Sequence, residues 1–147
     1  IPTAQVIFKH AAAATDASDK FEVDVIGKQW WWEFRYRDVP ADPNNPDAGP
    51  LVTANEAILP QGANVVFHLT SNNVIHSFWV PQLSGKLDVV PGRDNPLQFV
   101  ASTSGDYFGE CAEFCGAAHA WMRFKVKVVP QENFDAWVEA WTKLRGA

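Results

Sequence analysis

Apolar Phe21, Val23 and Val25 alternate with Glu22 and Asp24, the period-2 pattern of a strand with one face in a core and the other in water. The alternation returns over residues 30–37, where Trp32, Phe34 and Tyr36 are expected to face a core while Glu33, Arg35 and Arg37 face solvent. Trp31 shares the parity of the charged residues. Further strands are predicted over 65–70, 76–80, 97–100, 106–110 and 124–129, the last with Phe124, Val126 and Val128 alternating with Arg123, Lys125 and Lys127. Residues 38–50, rich in Pro, Asp and Asn, read as one long loop. Only the end reads as helix: after Pro130, residues Phe134, Trp137, Val138, Trp141 and Leu144 recur at the spacing of an apolar helix face, predicting a helix over 131–144 packed on the strands. The pattern predicts a mainly β domain, an antiparallel or mixed sandwich or barrel with one C-terminal helix, whose function sits in loops at its ends.

Composition narrows this picture. The 147 residues, 47% hydrophobic and 20% charged, suit a single domain spanning 1–147 with a core large enough to need neither disulfides nor zinc. Its two cysteines are therefore available for chemistry. Residues 1–20, with the alanine run 11–14, carry no element pattern and read as a flexible lead-in. A formal charge of -5 excludes an electrostatic grip on nucleic acid or an anionic membrane and makes a basic partner the natural complement. No stretch approaches the roughly 18 to 20 apolar residues of a membrane-spanning helix, so the chain reads as soluble, and its start at Ile1 reads as that of an excised piece.

The densest run of metal-binding atoms is residues 109–122, which holds Cys111, Cys115, His119 and Met122 between two predicted strands. Two thiolates and a thioether are soft donors, and adding an imidazole makes copper the metal that suits the whole set; zinc seldom takes a thioether. A mononuclear blue-copper centre needs one Cys only. A second thiolate in the same loop can bridge two metal ions, and one electron shared over two coppers spreads the charge change and keeps reorganisation small. A second imidazole is then wanted from His10, His68 or His76. His76, at the mouth of a strand after a Ser-Asn-Asn turn, is best placed; His68 reads as an exposed mid-strand histidine, and His10 lies in the lead-in. The competing reading is a Cys111–Cys115 disulfide or a zinc site, with Met122 as ordinary core.

These residues resemble the CuA domain of subunit II of haem–copper cytochrome c oxidases. Gly27-Lys-Gln-Trp-Trp-Trp32 is similar to that family's aromatic strand, His76-Ser-Phe-Trp-Val-Pro81 to its first ligand segment, and Lys86-Leu-Asp-Val-Val-Pro-Gly-Arg93 to its next loop; Cys111 to Met122 reproduces its C-x3-C-x3-H-x2-M. The resemblance implies a cupredoxin barrel and two copper ions bridged by Cys111 and Cys115. It implies one imidazole per copper from His76 and His119, with Met122 and the backbone carbonyl of Glu113 as weak ligands. The Glu113 carboxylate would contribute to a magnesium site shared with oxidase subunit I. Cytochrome c, or a fused c-type haem domain, would deliver electrons at a tryptophan. The alignment through Gln29 selects Trp30, whereas strand parity exposes Trp31. Acidic Glu33, Asp38, Asp94 and Glu110 would steer a basic cytochrome c.

The same resemblance implies a membrane anchor preceding Ile1 and an extracytoplasmic location, in a bacterial periplasm or a mitochondrial intermembrane space. Asn72 and Asn73 stand where an acidic residue is common in the family. The CuA domain of nitrous oxide reductase and a copper-free quinol-oxidase subunit are alternatives; the Lys86–Arg93 loop argues against the first and the complete set of ligand types against the second.

Overall fold

The first alternating segment forms strand β1 (Lys20–Lys28), in which Val23 and Val25 are fully buried. It lies at the centre of one of two five-stranded sheets. The computed structural model describes residues 20–146, so His10 and the lead-in up to residue 19 lie outside the described residues. After β1 come β2 (Trp31–Pro40), β3 (Pro50–Ala54), β4 (Glu56–Pro60), β5 (Asn64–Ser71), β6 (His76–Trp79), β7 (Leu87–Val89), β8 (Asn95–Val100), β9 (Gly105–Cys111), β10 (Arg123–Val129) and helix α1 (Gln131–Gly146). The sheets run β3-β2-β1-β5-β8 and β4-β10-β9-β6-β7. Both are mixed: β1 pairs parallel with β5 and β10 parallel with β4, while the other pairs are antiparallel. The fold is thus the mainly β, two-sheet barrel with a C-terminal helix expected from the pattern.

An aromatic layer fills the space between the sheets. Phe78 of β6 stacks on Phe124 of β10 at 4.5 Å, Trp32 meets both edge-on at 5.4 and 5.3 Å, and Phe67 packs edge-on against Phe78 and Phe99. Such contacts add to the burial of large apolar area, the main stabilising term of a domain this size. At one end of β1, Phe21 packs on Phe134 of α1, and Tyr36 packs on Trp137. At the other end, Gly27 lies against His76. Helix and histidine therefore sit at opposite ends of the barrel, separated by about 20 Å of strand.

The structure departs from the sequence reading in four places. The segment 38–50 is not all loop: β2 runs on to Pro40 and β3 starts at Pro50, leaving 41–49 as the turn-rich connection around a 3-10 turn at Pro46–Ala48. Strands β3, β4 and β7 were not predicted. Glu33, expected in water, is only 7% exposed, because Lys28 and Arg35 close over its carboxylate at 3.3 and 2.7 Å. Burial raises the affinity of that carboxyl for its proton, but the hydrogen bonds and charges of Arg35 and Lys28 outweigh this and hold it below the usual carboxylate range. Leu144, expected on the packed helix face, is 77% exposed: the face leaves the barrel after half-buried Trp141. No helix among the described residues is long and apolar enough to cross a membrane.

Tyr36 anchors the helix end. Its buried hydroxyl donates to the carbonyl of Ile58 at 3.0 Å and accepts from the Ile58 N–H at 2.7 Å, and burial pushes its ionisation well above the ordinary range. Tyr36→Phe leaves both backbone groups unpaired and is expected to cost roughly 1–3 kcal/mol, read as a lower urea midpoint with an unchanged slope.

Candidate metal centre

Cys111 is the last residue of β9 and Met122 directly precedes β10, so the antiparallel pairing of these strands closes residues 112–121 into a loop. The ladder runs to the mouth, where the Cys111 N–H donates to the Met122 carbonyl at 3.1 Å. The Ala112 N–H donates to the Ser77 carbonyl at 2.9 Å, tying the loop to β6, the strand that opens with His76. A 3-10 turn at His119–Trp121, closed by Met122 N–H to His119 carbonyl at 3.1 Å, folds His119 and Met122 back toward the cysteines.

The ring of His76 is fully buried, held between Trp32 and Gly27; a Cβ on Gly27 would lie 2.7 Å from the ring's Cδ2, so only glycine leaves it room. Its Nδ1 faces the Cys111 sulfur at 3.8 Å, while its buried Nε2 has no hydrogen-bond partner among the described residues. The Cys115 sulfur stands 3.9 Å from that of Cys111, 3.5 Å from Nδ1 of half-buried His119 and 3.7 Å from the buried Met122 sulfur. Cys111 lies 3.1 Å from the carbonyl of Glu113, whose side chain is exposed. His76, Cys111 and Cys115 place their ligand atoms within 4.8 Å of one another. The disulfide alternative fails: both cysteines are free, and 3.9 Å is almost twice the length of an S–S bond of about 2.05 Å. His68 is no part of this cluster. Its ring is held between Glu22 and Asp94 at 3.0 and 2.9 Å.

Burial, reinforced by the neighbouring Cys111, pushes the Cys115 thiol up to about 12, and burial together with His119 pushes His76 down. Without a cation burial therefore keeps the Cys115 thiol protonated and the His76 imidazole neutral. A metal ion inverts this logic, since it stabilises the thiolates that burial disfavours. The donors fit a soft metal such as copper: two sulfurs able to bridge, two imidazoles with Nδ1 inward, and a thioether.

The predicted tryptophans separate clearly. Trp30 is 39% exposed, and its Nε1–H donates to the Cys115 carbonyl at 3.3 Å. Trp31 is half-buried under the Lys28 ammonium, 4.6 Å from its ring centre, and has no such link to the loop. Of the acidic residues considered for steering, Asp38 and Glu110 are exposed, Asp94 is tied to His68, and buried Glu33 is spent on Lys28 and Arg35. Two residues on neighbouring turns, Gln29 and Asn73, also bond toward the loop and were not among the site residues read from the sequence. Gln29 donates through Nε2 to the Cys115 carbonyl at 3.0 Å, and Asn73 donates through Nδ2 to Gln29 Oε1 at 2.7 Å. The Asn at position 73 and the Gln that precedes Trp30 were the sequence signals that pointed there.

The family model for the periplasmic domain of cytochrome c oxidase subunit II matches residues 21–129. The chain is 38% identical over 117 residues to cytochrome c oxidase subunit 2 of Alkalihalophilus pseudofirmus, covering 80% of this chain and 31% of that protein. It is 36% identical over 149 residues to the probable cytochrome c oxidase subunit 2 of Rickettsia bellii, covering 94% of this chain and 55% of that one. The chain thus spans between about a third and a half of these relatives. Among solved structures, the periplasmic domain of subunit II of cytochrome oxidase from Bradyrhizobium japonicum superposes with a TM-score of 0.71 at 30% identity, covering 86% of this chain and 96% of that one. A family model matched over most of the length, together with a shared fold, places the chain in the family of cytochrome c oxidase subunit II periplasmic domains.

Proposed function

We propose that the chain is the electron-accepting domain of a haem–copper cytochrome c oxidase, taking electrons singly from cytochrome c and passing them to haem in subunit I. Membership of the family implies a copper site of the CuA kind, and the cluster of His76, Cys111 and Cys115 fits one. The observation that carries the reading is the paired arrangement: two sulfurs 3.9 Å apart, each with its own imidazole nitrogen, at 3.8 and 3.5 Å. That set suits two ions rather than one. Two coppers bound there would supply a one-electron couple with its charge change spread over both.

In this reading Cys111 and Cys115 would hold both ions as thiolates, His76 and His119 would serve one ion each, and Met122 and the Glu113 carbonyl would be weak ligands. The strand ends and the loop's 3-10 turn bring these donors together without a metal, so an ion bound there would meet a preformed shell that would need little rearrangement on electron transfer. The exposed Glu113 carboxylate would form half of a magnesium site completed by subunit I. Trp30 is the arrival point, joined to Cys115 by one hydrogen bond. Exposed Trp30, Ile75, Phe114 and Trp121 give the ligand loops an apolar rim suited to a transient partner, and the net charge of -5 favours a basic one. Trp31, half-buried under Lys28 and without a bond to the cysteine loop, is the less favoured entry point. The family is that of a periplasmic domain, which supports an extracytoplasmic location, on a bacterial plasma membrane or in a mitochondrial intermembrane space, with the whole protein membrane-anchored.

The deciding test is the electron paramagnetic resonance spectrum of the copper-loaded, oxidised chain with copper measured on the same sample. Hyperfine structure from one electron shared by two coppers is expected; a single-copper spectrum, or one copper per chain, overturns the proposal. Trp30→Phe keeps an aromatic side chain but removes the indole Nε1–H. It is expected to slow reduction by cytochrome c roughly tenfold, the scale of about 1.4 kcal/mol in a barrier, with the copper spectrum unchanged; an unaltered rate removes Trp30 from the route. Met122→Leu is expected to shift the reduction potential with both coppers retained, since a weak ligand tunes more than it holds. Voltammetry and copper analysis check this, and loss of one copper contradicts it.

A further inference from the structure

We infer that Asn73 and Gln29 are positioning residues that hold Trp30 in register with Cys115, an inference that rests on the reading of Trp30 above. Two donors, Gln29 Nε2 and Trp30 Nε1, converge on the single carbonyl of Cys115 at 3.0 and 3.3 Å, matching its two lone pairs. A glutamine amide has a donor end and an acceptor end, and the acceptor end turned inward would repel that carbonyl. Asn73 prevents the reversal. The backbone N–H of Val74 donates to Asn73 Oδ1 at 2.8 Å, which leaves Asn73 Nδ2 to donate to Gln29 Oε1 at 2.7 Å and so turns Gln29 Nε2 toward Cys115. A backbone N–H cannot exchange its role, so it sets the polarity of the whole chain of bonds.

The base of that chain is itself fixed. The Asn73 N–H donates to Ser71 Oγ at 3.3 Å, and Ser71 Oγ donates to the Val74 carbonyl. Gly116 opens the space in which the two donors meet. It has φ +126°, and a Cβ there would lie 3.0 Å from Trp30 Nε1 and 3.2 Å from Gln29 Nε2. Three loops are thereby joined, the turn between β1 and β2, the turn between β5 and β6, and the cysteine loop. Gln29 and Asn73 touch no side chain of the proposed ligand set; they act on the main chain of Cys115 and on the freedom of an exposed indole.

The test uses Asn73→Ala, Gln29→Met and the double variant, each read in two ways. In the metal-free, reduced chain, hydrogen exchange of the Trp30 indole proton, assigned by its loss in Trp30→Phe, is expected to speed up roughly five- to tenfold in either single variant, the scale of one lost hydrogen bond. The double variant is expected to go no further, because the two residues act as one unit. In the copper-loaded chain, reduction by reduced cytochrome c is expected to slow by about the same factor, with copper content and resonance spectrum unchanged. Wild-type indole exchange in both single variants, or additive effects in the double, overturns the positioning role. A slower cytochrome c reaction without faster exchange also overturns it, since that marks direct contact with the partner. Faster exchange with an unaltered cytochrome c rate leaves the positioning intact and instead removes Trp30 from electron arrival.

Discussion

Two buried sulfurs held 3.9 Å apart without bonding are the constraint around which the rest of this domain is arranged. Close enough to share metal ions yet unbonded, they are held both by the strands that flank their loop and by the loop's own turn. The β9–β10 ladder does this at the ends of the loop, the bond to Ser77 does it from β6, and the 3-10 turn at His119–Trp121 does it from within. A flexible loop bearing the same residues would supply the donors but not the spacing. The cost is visible in the protonation: burial keeps the Cys115 thiol protonated and His76 neutral, so the pocket gains by binding a cation.

The barrel keeps this arrangement stiff by separating its two ends. Strands β1 and β2 run from the helix end, where Phe21 and Tyr36 pack on α1, to the metal end, where Gly27 and Trp32 hold the ring of His76. Trp32 belongs both to the aromatic layer and to the wall of the site. A shift of His76 would therefore have to displace close-packed rings, which interiors of this density resist. The irregular, exposed residues that can meet a partner, Trp30, Ile75, Phe114 and Trp121, lie on the turns at that end and not on the strands beneath.

How much of this was legible in the sequence follows from the range of each interaction. Cys111, Cys115, His119 and Met122 were legible because one loop carries them, and His76 because it opens a strand after a turn. The central strands were legible through alternation. The three strands that were missed, β3, β4 and β7, are all at sheet edges, where short length, proline and irregular alternation blur the period. In β4 the run Ala57–Pro60 is buried throughout, so no alternation existed to be read. Glu33 misled because its parity was right for water while its burial depends on Lys28 and Arg35 folding over it. The Gln29–Cys115 bond joins residues 86 apart in sequence, and no local pattern marks such a contact.

The two halves of the cluster are unequal, and the backbone makes them so. Cys111 ends a strand, which places it beside fully buried His76 and the oxygen of Glu113; Cys115 lies in mid-loop, beside half-exposed His119 and the sulfur of Met122. One half is thus harder and enclosed by the barrel, the other softer and nearer the surface. The hydrogen bonds from Trp30 and Gln29 reach the main chain of Cys115, not of Cys111. In the proposed reading an electron delivered at Trp30 would meet the softer half first, the half whose thioether would favour the reduced state of a soft metal. The order of donors along one short loop, oxygen before sulfur and buried strand before open turn, is what makes the two halves of the cluster unequal.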